Sequence, residues 1–499
     1  MKKYINKTLA GILGISMLFA GCTNSFEEIN TNPDKPVDVP VENIFAYATY
    51  WTAFRLYDRW FAQDEPQSFC GYVSKMNYID EAKYQYRASI RESNWEYLYG
   101  AFLNFRDVQE RAEEINPNLY HAARVMEAHV IQIATDRWRD VPYTEAGKLS
   151  EGILTPKYDT QEEIYPALLT LLKDAADGFA DNNSGTIGGD LLFGGDVTKW
   201  QKYCNSLRLR LAIRISEVSP ALAKQTVEEV LGNPGRYPVM TSNDDNAFFW
   251  WTDENAAYYE PIADQFRTRQ AEYCASDVMV DYMVENADPR IGVFFDPTPL
   301  SQMPDDEDYT PDYPKYRGYT IGASSNAIVK LYSIWGYKYA QDLAGFSPFM
   351  RVAEVYFHIA EASMLGYNTG TTAEEAYNKA VRFSMEENEV SPEDIETYMA
   401  DAGKFDGTIK KIWYEEYIAM FKQAMEGWSL YRRTGMPETM YIAPGRANIY
   451  SNHNVPPFRS PYPITEMNLN GANNAPYNAE IVDDFWGKQM WWDTRTGVY

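Results

Sequence analysis

From about Gly232 to Gly345 the helical periodicity that governs the rest of this chain lapses, and only Asp277 to Glu285, with Ser276 at its N-cap, still reads as a helix. Loops of such length inside a compact body are either functional or disordered. This one is too aromatic for disorder, since it holds Phe248, Phe249, Trp250, Trp251, Tyr258, Tyr259, Tyr316, Tyr332, Trp335 and Tyr337. The chain must therefore build a scaffold that carries a long, ordered insertion.

The flanking segments supply a helical scaffold. Val41 to about Met126 patterns as two or three helices separated by an aromatic loop, and Ala122 to Trp138 as another. Thr160 and Glu163 form a capping box ahead of Ile164, Leu168, Leu171, Leu172, Ala175 and Phe179, which recur on one face. Pro166 predicts either a distorted first turn or a start near Tyr165. In the next helix Trp200, Cys204, Leu207, Leu211 and Ile215 form the apolar stripe, with Arg208, Arg210 and Arg214 away from it. Helices resume at Pro348: Met350 to Leu365, one capped by Thr372 and Glu375, one opened by Ser391-Pro392, and one over Thr408 to Arg433 ended by Gly435 and Pro437. Ala376 and Ala380 stand one turn apart, the small residues that let a tetratricopeptide helix pair approach closely.

The N-terminus sets the location. Lys2, Lys3 and Lys7 precede an apolar run, Leu9 to Phe19, that is too short to span a bilayer and closes on Phe19-Ala20-Gly21-Cys22. This is a lipoprotein signal, so Cys22 is expected to become a lipidated N-terminus and 22–40 an extended tether. With 71 acidic against 45 basic residues the formal charge is −26, which argues against nucleic acid or an anionic membrane surface as a partner. Once Cys22 carries lipid, Cys70, Cys204 and Cys274 permit at most one disulfide.

Several runs, in order along nearly the whole chain, carry a family likeness: Phe26-Glu27-Glu28-Ile29-Asn30-Thr31-Asn32-Pro33, Asp136 to Ala146, Trp200 to Leu211, Asp288-Pro289-Arg290, Glu354 to Ala362, Glu415 to Arg433, and Phe458 to Tyr462. The chain resembles the SusD/RagB family of Bacteroidetes outer-membrane lipoproteins. The resemblance implies a mainly α fold, tetratricopeptide-like helix pairs with long irregular ligand-binding loops inserted. It implies one domain over 41–499, divided into an N-terminal helical part (41–231), a loop-rich ligand region (232–345), tetratricopeptide-like helices (346–435) and an irregular C-terminal part (436–499). It also implies a non-catalytic, surface-exposed receptor that captures an oligosaccharide for a SusC-like TonB-dependent transporter and touches the membrane only through its lipid. A peptide receptor of the same family is the alternative, and a surface glycoside hydrolase a more distant one.

Sugar capture needs flat rings for the C–H face of a pyranose and planar polar groups that fork onto hydroxyls. Two loop regions offer both. One is Tyr72 to Trp95, with Tyr72, Asn77, Tyr78, Arg91 and Trp95; the other is the irregular stretch with Trp250, Trp251, Tyr258, Tyr259 and Tyr316. The expectation is that these side chains share one water-facing cleft, and that Trp250 and Trp251 bind ligand while contributing little to stability. Asp305 to Asp308, with Asp312, lack the alternation and turn glycine of a calcium loop and read as a solvated acidic loop. His121, His129, His358 and His453 show no ligand spacing, and no cofactor fingerprint occurs in a convincing context, so neither metal nor cofactor is expected. Carboxylate pairs for hydrolysis, such as Asp253 with Glu254 or Asp288 with Glu260, can always be nominated among so many acids and carry no weight.

Overall fold

The computed structural model describes residues 39–182, 184–269, 272–446 and 450–499; the signal peptide, Cys22 and all but the end of the tether lie outside them. Six helices come first: α1 (Val41–Leu56), α2 (Ala88–Ala112), α3 (Pro117–Trp138), α4 (Gln161–Asp181), α5 (Val197–Arg214) and α6 (Pro220–Gly232), each packed on the next. Between α1 and α2 a wide π-helical segment, Arg59–Gln67, starts at Asp58, whose carboxylate accepts from the Phe61 N–H at 2.7 Å. Such wide turns concentrate at functional sites.

Local signals explain the helix starts. At α4, Thr160 Oγ1 accepts from the Glu163 N–H at 3.3 Å, and the Glu163 carboxylate accepts from the Thr160 N–H at 2.8 Å. The helix begins at Gln161, with Pro166 inside it, rather than near Tyr165. The carbonyl that loses its donor belongs to Glu162, an exposed residue, so water can serve it.

Short strands pin the irregular stretch: β1 (Val73–Lys75), β2 (Ala247–Trp250), β3 (Tyr273–Ala275) and β4 (Phe346–Met350). Antiparallel pairing of β2 with β4 sets Phe249 opposite Ser347 and Trp250 opposite Phe346, closing the insertion at its base. Pairing of β1 with β3 sets Lys75 opposite Tyr273 and ties its middle to the α1–α2 connection. The insertion holds two helices of eight residues or more, α7 (Pro261–Thr268) and α8 (Asp277–Glu285). The expectation of one is corrected. Pro261 occupies the first turn of α7 and the Glu260 carboxylate caps it, accepting from the Ala263 N–H at 2.6 Å.

Helices then resume as α9 (Val352–Met364), α10 (Ala373–Glu387), α11 (Pro392–Ala400), α12 (Ile409–Ala419) and α13 (Ala424–Thr434). Ala376 and Ala380 are buried in the tight α9–α10 pair, and α9 also packs back onto α5, joining the two helical parts. The helix expected over Thr408 to Arg433 is two, because buried Lys422 takes a left-handed backbone (φ +78°) that directs its Nζ to Glu260, 3.2 Å away. Two short helices, α14 (Ile464–Leu469) and α15 (Gly471–Asn478), occupy the C-terminal part expected to be irregular. One contiguous core runs from Val41 to Trp492.

That core is laced with charge. Arg208, Arg210 and Arg214, which lie away from the apolar stripe of α5, are buried all the same. Arg210 meets Glu354 at 2.9 Å, and Arg214 bridges Asp136 at 2.7 Å to Glu426. Burial alone would raise the Glu426 pKa, but Arg210 and Arg214, with a hydrogen bond from Gln132, pull it from 4.5 down to about 2. A folded pKa below the unfolded one means stabilisation that is complete above about pH 4.5 and is lost as pH falls towards 2. Glu426→Gln should therefore lower stability at pH 7 and flatten its fall between pH 4.5 and 2, as read by urea denaturation at stepped pH. An unchanged pH slope would show that this carboxylate does not supply the effect.

Candidate functional site

The side of α1 that faces away from the core carries more aromatic surface than its neighbours cover. Val41, Phe45, Ala48, Ala53 and Leu56 point inward, which leaves Tyr47 exposed and Tyr50, Trp51 and Phe54 half-covered. Tyr97 of α2 lies parallel to Trp51, with centroids 6.4 Å apart. The Arg55 guanidinium sits 3.7 Å from the Tyr97 centroid and 5.0 Å from that of Trp51, and pairs with Asp58 at 3.0 Å. A groove of about 410 Å³ opens here, lined by Arg55, Asp58, Trp60, Arg87, Ser89, Ile90, Ser93, Asn94 and Tyr97.

Trp60 links this groove to a second one. Arg59 stacks 3.7 Å from its ring centroid and reaches Glu272 at 3.0 Å, and Glu272 lines a groove of about 910 Å³ with Asn77, Tyr78, Arg267, Thr268, Arg269 and Asn326. Tyr78, 72% exposed, stands on a left-handed backbone (φ +52°), a strained conformation for a bulky residue.

Beneath both grooves lies a buried lysine. Lys75 reaches Asp64 at 2.9 Å, Glu81 at 3.0 Å and Glu272 at 3.4 Å. Burial works against its ammonium, yet Asp64, Glu81 and Glu272 outweigh that and raise its pKa. Burial likewise pushes the Asp64 carboxyl up, with Lys75 and the Tyr273 hydroxyl acting against it. Outward, Glu81 holds Arg87 and Glu272 holds Arg59, so the buried cluster fixes the two guanidiniums 6.0 and 3.7 Å from the Trp60 centroid.

Of the residues expected from sequence, Asn77 and Tyr78 line the larger groove. Tyr258 meets Tyr50 edge-on at 5.7 Å, beside the smaller groove, and Tyr259 lies 5.6 Å from the Arg267 guanidinium. Four others are in the core. Tyr72 stacks on Tyr417 at 4.8 Å and donates to the Tyr417 carbonyl at 2.7 Å. Arg91 is buried against Glu65, and Trp95 packs edge-on to Trp138 at 5.0 Å. Trp251 is 6% exposed and donates from Nε1 to Ser347 Oγ at 2.9 Å. Trp250, the last residue of β2 and 63% exposed, packs against Phe346 on the face away from Trp251, and Tyr316 packs near Gly292 beside Lys315; neither lines either groove. The single shared cleft is thus corrected to a narrower set: Tyr72, Trp95 and Trp251 are taken by the core and Trp250 and Tyr316 stand apart from the grooves, which leaves three of the eight rings.

Sequence reasoning reaches Arg87, in the loop region from Tyr72 to Trp95, but does not single out Trp51, Arg55, Arg59, Trp60, Tyr97, Arg267 or Arg269. The signal available was the aromatic excess on α1 beyond one packed face. The acidic loop folds onto Lys330, which pairs with Asp306 at 2.7 Å and Asp308 at 2.9 Å. Glu260 and Asp288, one pairing nominated for hydrolysis, are each buried on separate cations, Lys422 and Arg290. His129 on α3 bonds Tyr203 at 2.8 Å, and burial lowers its pKa to about 3. Cys70, Cys204 and Cys274 are free and buried.

Residues 33–463 match the model of a SusD-like family described as starch-binding and associating with the outer membrane. The chain belongs to the SusD/RagB family. Solved structures agree in fold. A chitin-binding protein superposes with a TM-score of 0.79 at 25% identity, over 91% of this chain and 100% of that one. A chitin-binding SusD homologue from Flavobacterium johnsoniae gives 0.77 at 23% over 91% and 99%, and a SusD homologue from Bacteroides uniformis gives 0.77 at 23% over 92% and 100%. No curated protein matches by sequence.

The adjacent tryptophans at the end of β2 should behave oppositely. Trp251→Ala should cost about 3–5 kcal/mol of stability, and Trp250→Ala less than about 0.5 kcal/mol, by guanidinium denaturation. Equal losses would contradict the assignment of the two faces.

Proposed function

We propose that this SusD-like protein is a glycan receptor, anchored to the outer membrane through Cys22, that captures an oligosaccharide across the two grooves joined at Trp60 and passes it to a SusC-like TonB-dependent transporter. The observation that carries this reading is the Trp60 plate near Arg59 and Arg87 in the groove that holds Tyr97 and Arg55, connected through Arg59 and Glu272 to the groove that holds Tyr78 and Asn77. Flat rings next to forked donors suit a sugar's C–H face and its hydroxyls. The family description and the chitin-binding relatives support a glycan ligand. No described helix is long and apolar enough to cross a membrane, which is compatible with anchoring by lipid.

Capture of a short glycan should be modest in strength. Each hydroxyl exchanges bonds with water for bonds with protein, so net affinity is well below the gross contact energy, and weak holding suits onward delivery.

Trp60→Ala should weaken retention on the cognate glycan in affinity electrophoresis by about tenfold or more, with the melting temperature nearly unchanged. Unaltered retention would remove the plate from the site. Cys22→Ser should move the protein out of the membrane fraction; persistence there would contradict the lipid anchor.

A further inference from the structure

We propose that the glycan is anionic, bearing carboxylate or sulfate substituents that the larger groove reads through Arg267 and Arg269. The inference rests on the glycan-receptor reading and specifies its ligand class. In a chain of net charge −26, the residues lining the two grooves include Arg55, Arg87, Arg267 and Arg269 but only two acids, Asp58 and Glu272. Both acids are already engaged: Asp58 by Arg55 at 3.0 Å, and Glu272 by Arg59 at 3.0 Å, Lys75 at 3.4 Å and Arg269 at 3.8 Å.

The sharing is uneven. Lys75, Arg59, Arg87 and Arg269 divide three carboxylates, those of Asp64, Glu81 and Glu272, so this linked set carries one positive charge in excess. The weakest-held member is Arg269, 3.8 Å from a carboxylate with two closer cations and 57% exposed. Arg267, 54% exposed, pairs with surface Asp264 at 2.7 Å and has the Tyr259 ring 5.6 Å from its guanidinium. The Arg267–Asp264 pair is a surface pair of the kind worth little, and the Arg269–Glu272 contact is long, so each guanidinium can turn to a ligand at small cost. A guanidinium presents a planar fork that matches a carboxylate or sulfate far better than it matches a single hydroxyl. Tyr78, Asn77 and Asn326 in the same groove supply the plate and amides for the ring that bears the substituent.

The acidic body does not forbid this. At physiological salt, charges beyond about 8 Å are largely screened, so a few-ring ligand inside the groove feels the adjacent arginines more than remote acids. A long polyanion laid over the surface would still be repelled.

The test is calorimetry of the purified, detergent-held protein against oligosaccharides in matched pairs: uronate against its methyl ester, and sulfated against desulfated. In at least one pair the anionic member should bind tenfold or more tighter, and the pair that shows it identifies carboxylate or sulfate as the substituent. Arg267→Gln with Arg269→Gln should erase that difference while leaving the melting temperature unchanged. If neutral members bind as tightly as their anionic partners, or the double variant keeps the preference, the charge assignment is wrong and the glycan reading stands. If no member of any pair binds, the receptor reading fails, and this inference with it.

Discussion

The carboxylate of Asp136 is the point on which the scaffold turns. Its two oxygens accept from Gln132 of α3, Gln161 and Tyr165 of α4, Arg214 of α5 and the Trp492 indole at distances of 2.7 to 3.2 Å. A buried charge is expensive unless fully paired, and once paired it tolerates no missing partner. The donors come from α3, α4, α5 and the C-terminal segment, so these elements must assemble in one arrangement for the charge to be satisfied. Arg214 carries the constraint to Glu426 on α13, and Arg210 carries it to Glu354 on α9. Next along α3, Arg137 binds Glu65 of the wide helix together with Arg91 of α2, and donates to the Phe61 carbonyl at 3.0 Å. Trp60 precedes Phe61, so the ring proposed as a ligand plate is placed by the same buried charges.

This explains which parts of the fold were legible. Capping boxes at Thr160 and Thr372 and the proline at Pro392 act over three or four residues, and they start helices where sequence places them. The small pair Ala376 and Ala380 likewise marks a close helix contact. Arg210 is different: its partner Glu354 lies 144 positions away, so on α5 alone it reads as a solvent-facing charge. The runs that carry the family likeness, Asp136 to Ala146, Trp200 to Leu211, Asp288 to Arg290, Glu354 to Ala362 and Glu415 to Arg433, supply most of these buried pairs. What the resemblance recognises is therefore chiefly the charged interior of the scaffold, which is why it fixes the fold well and individual ligand residues poorly.

The site was less legible for a related reason. Residue type cannot tell a wall from a core, since tyrosine and tryptophan suit both an apolar seam and a wet rim. Trp250 and Trp251 show this most simply: identical neighbours, separated by the two-residue period of β2, meet solvent and Ser347 respectively. The break at Lys422 was hidden because a left-handed lysine has no local sequence mark, and its cause, Glu260, lies across the fold. On α1 the signal existed, as rings left over once one face was filled.

Two kinds of side chain meet at the grooves, and their difference follows from how they are held. Arg59 is fixed by buried Glu272 and stacked on Trp60, and Arg87 is fixed by buried Glu81, so both are oriented before any ligand arrives and little side-chain entropy remains to be lost. Arg267, Arg269 and Tyr78 stand on exposed surface, the arginines on weak pairs. A rigid inner set suits the feature common to every pyranose, its flat C–H face. The movable outer set suits what varies from sugar to sugar, the substituents on the ring. Recognition divided in this way lets selectivity change at the rim without disturbing the buried cluster that keeps the plate in place.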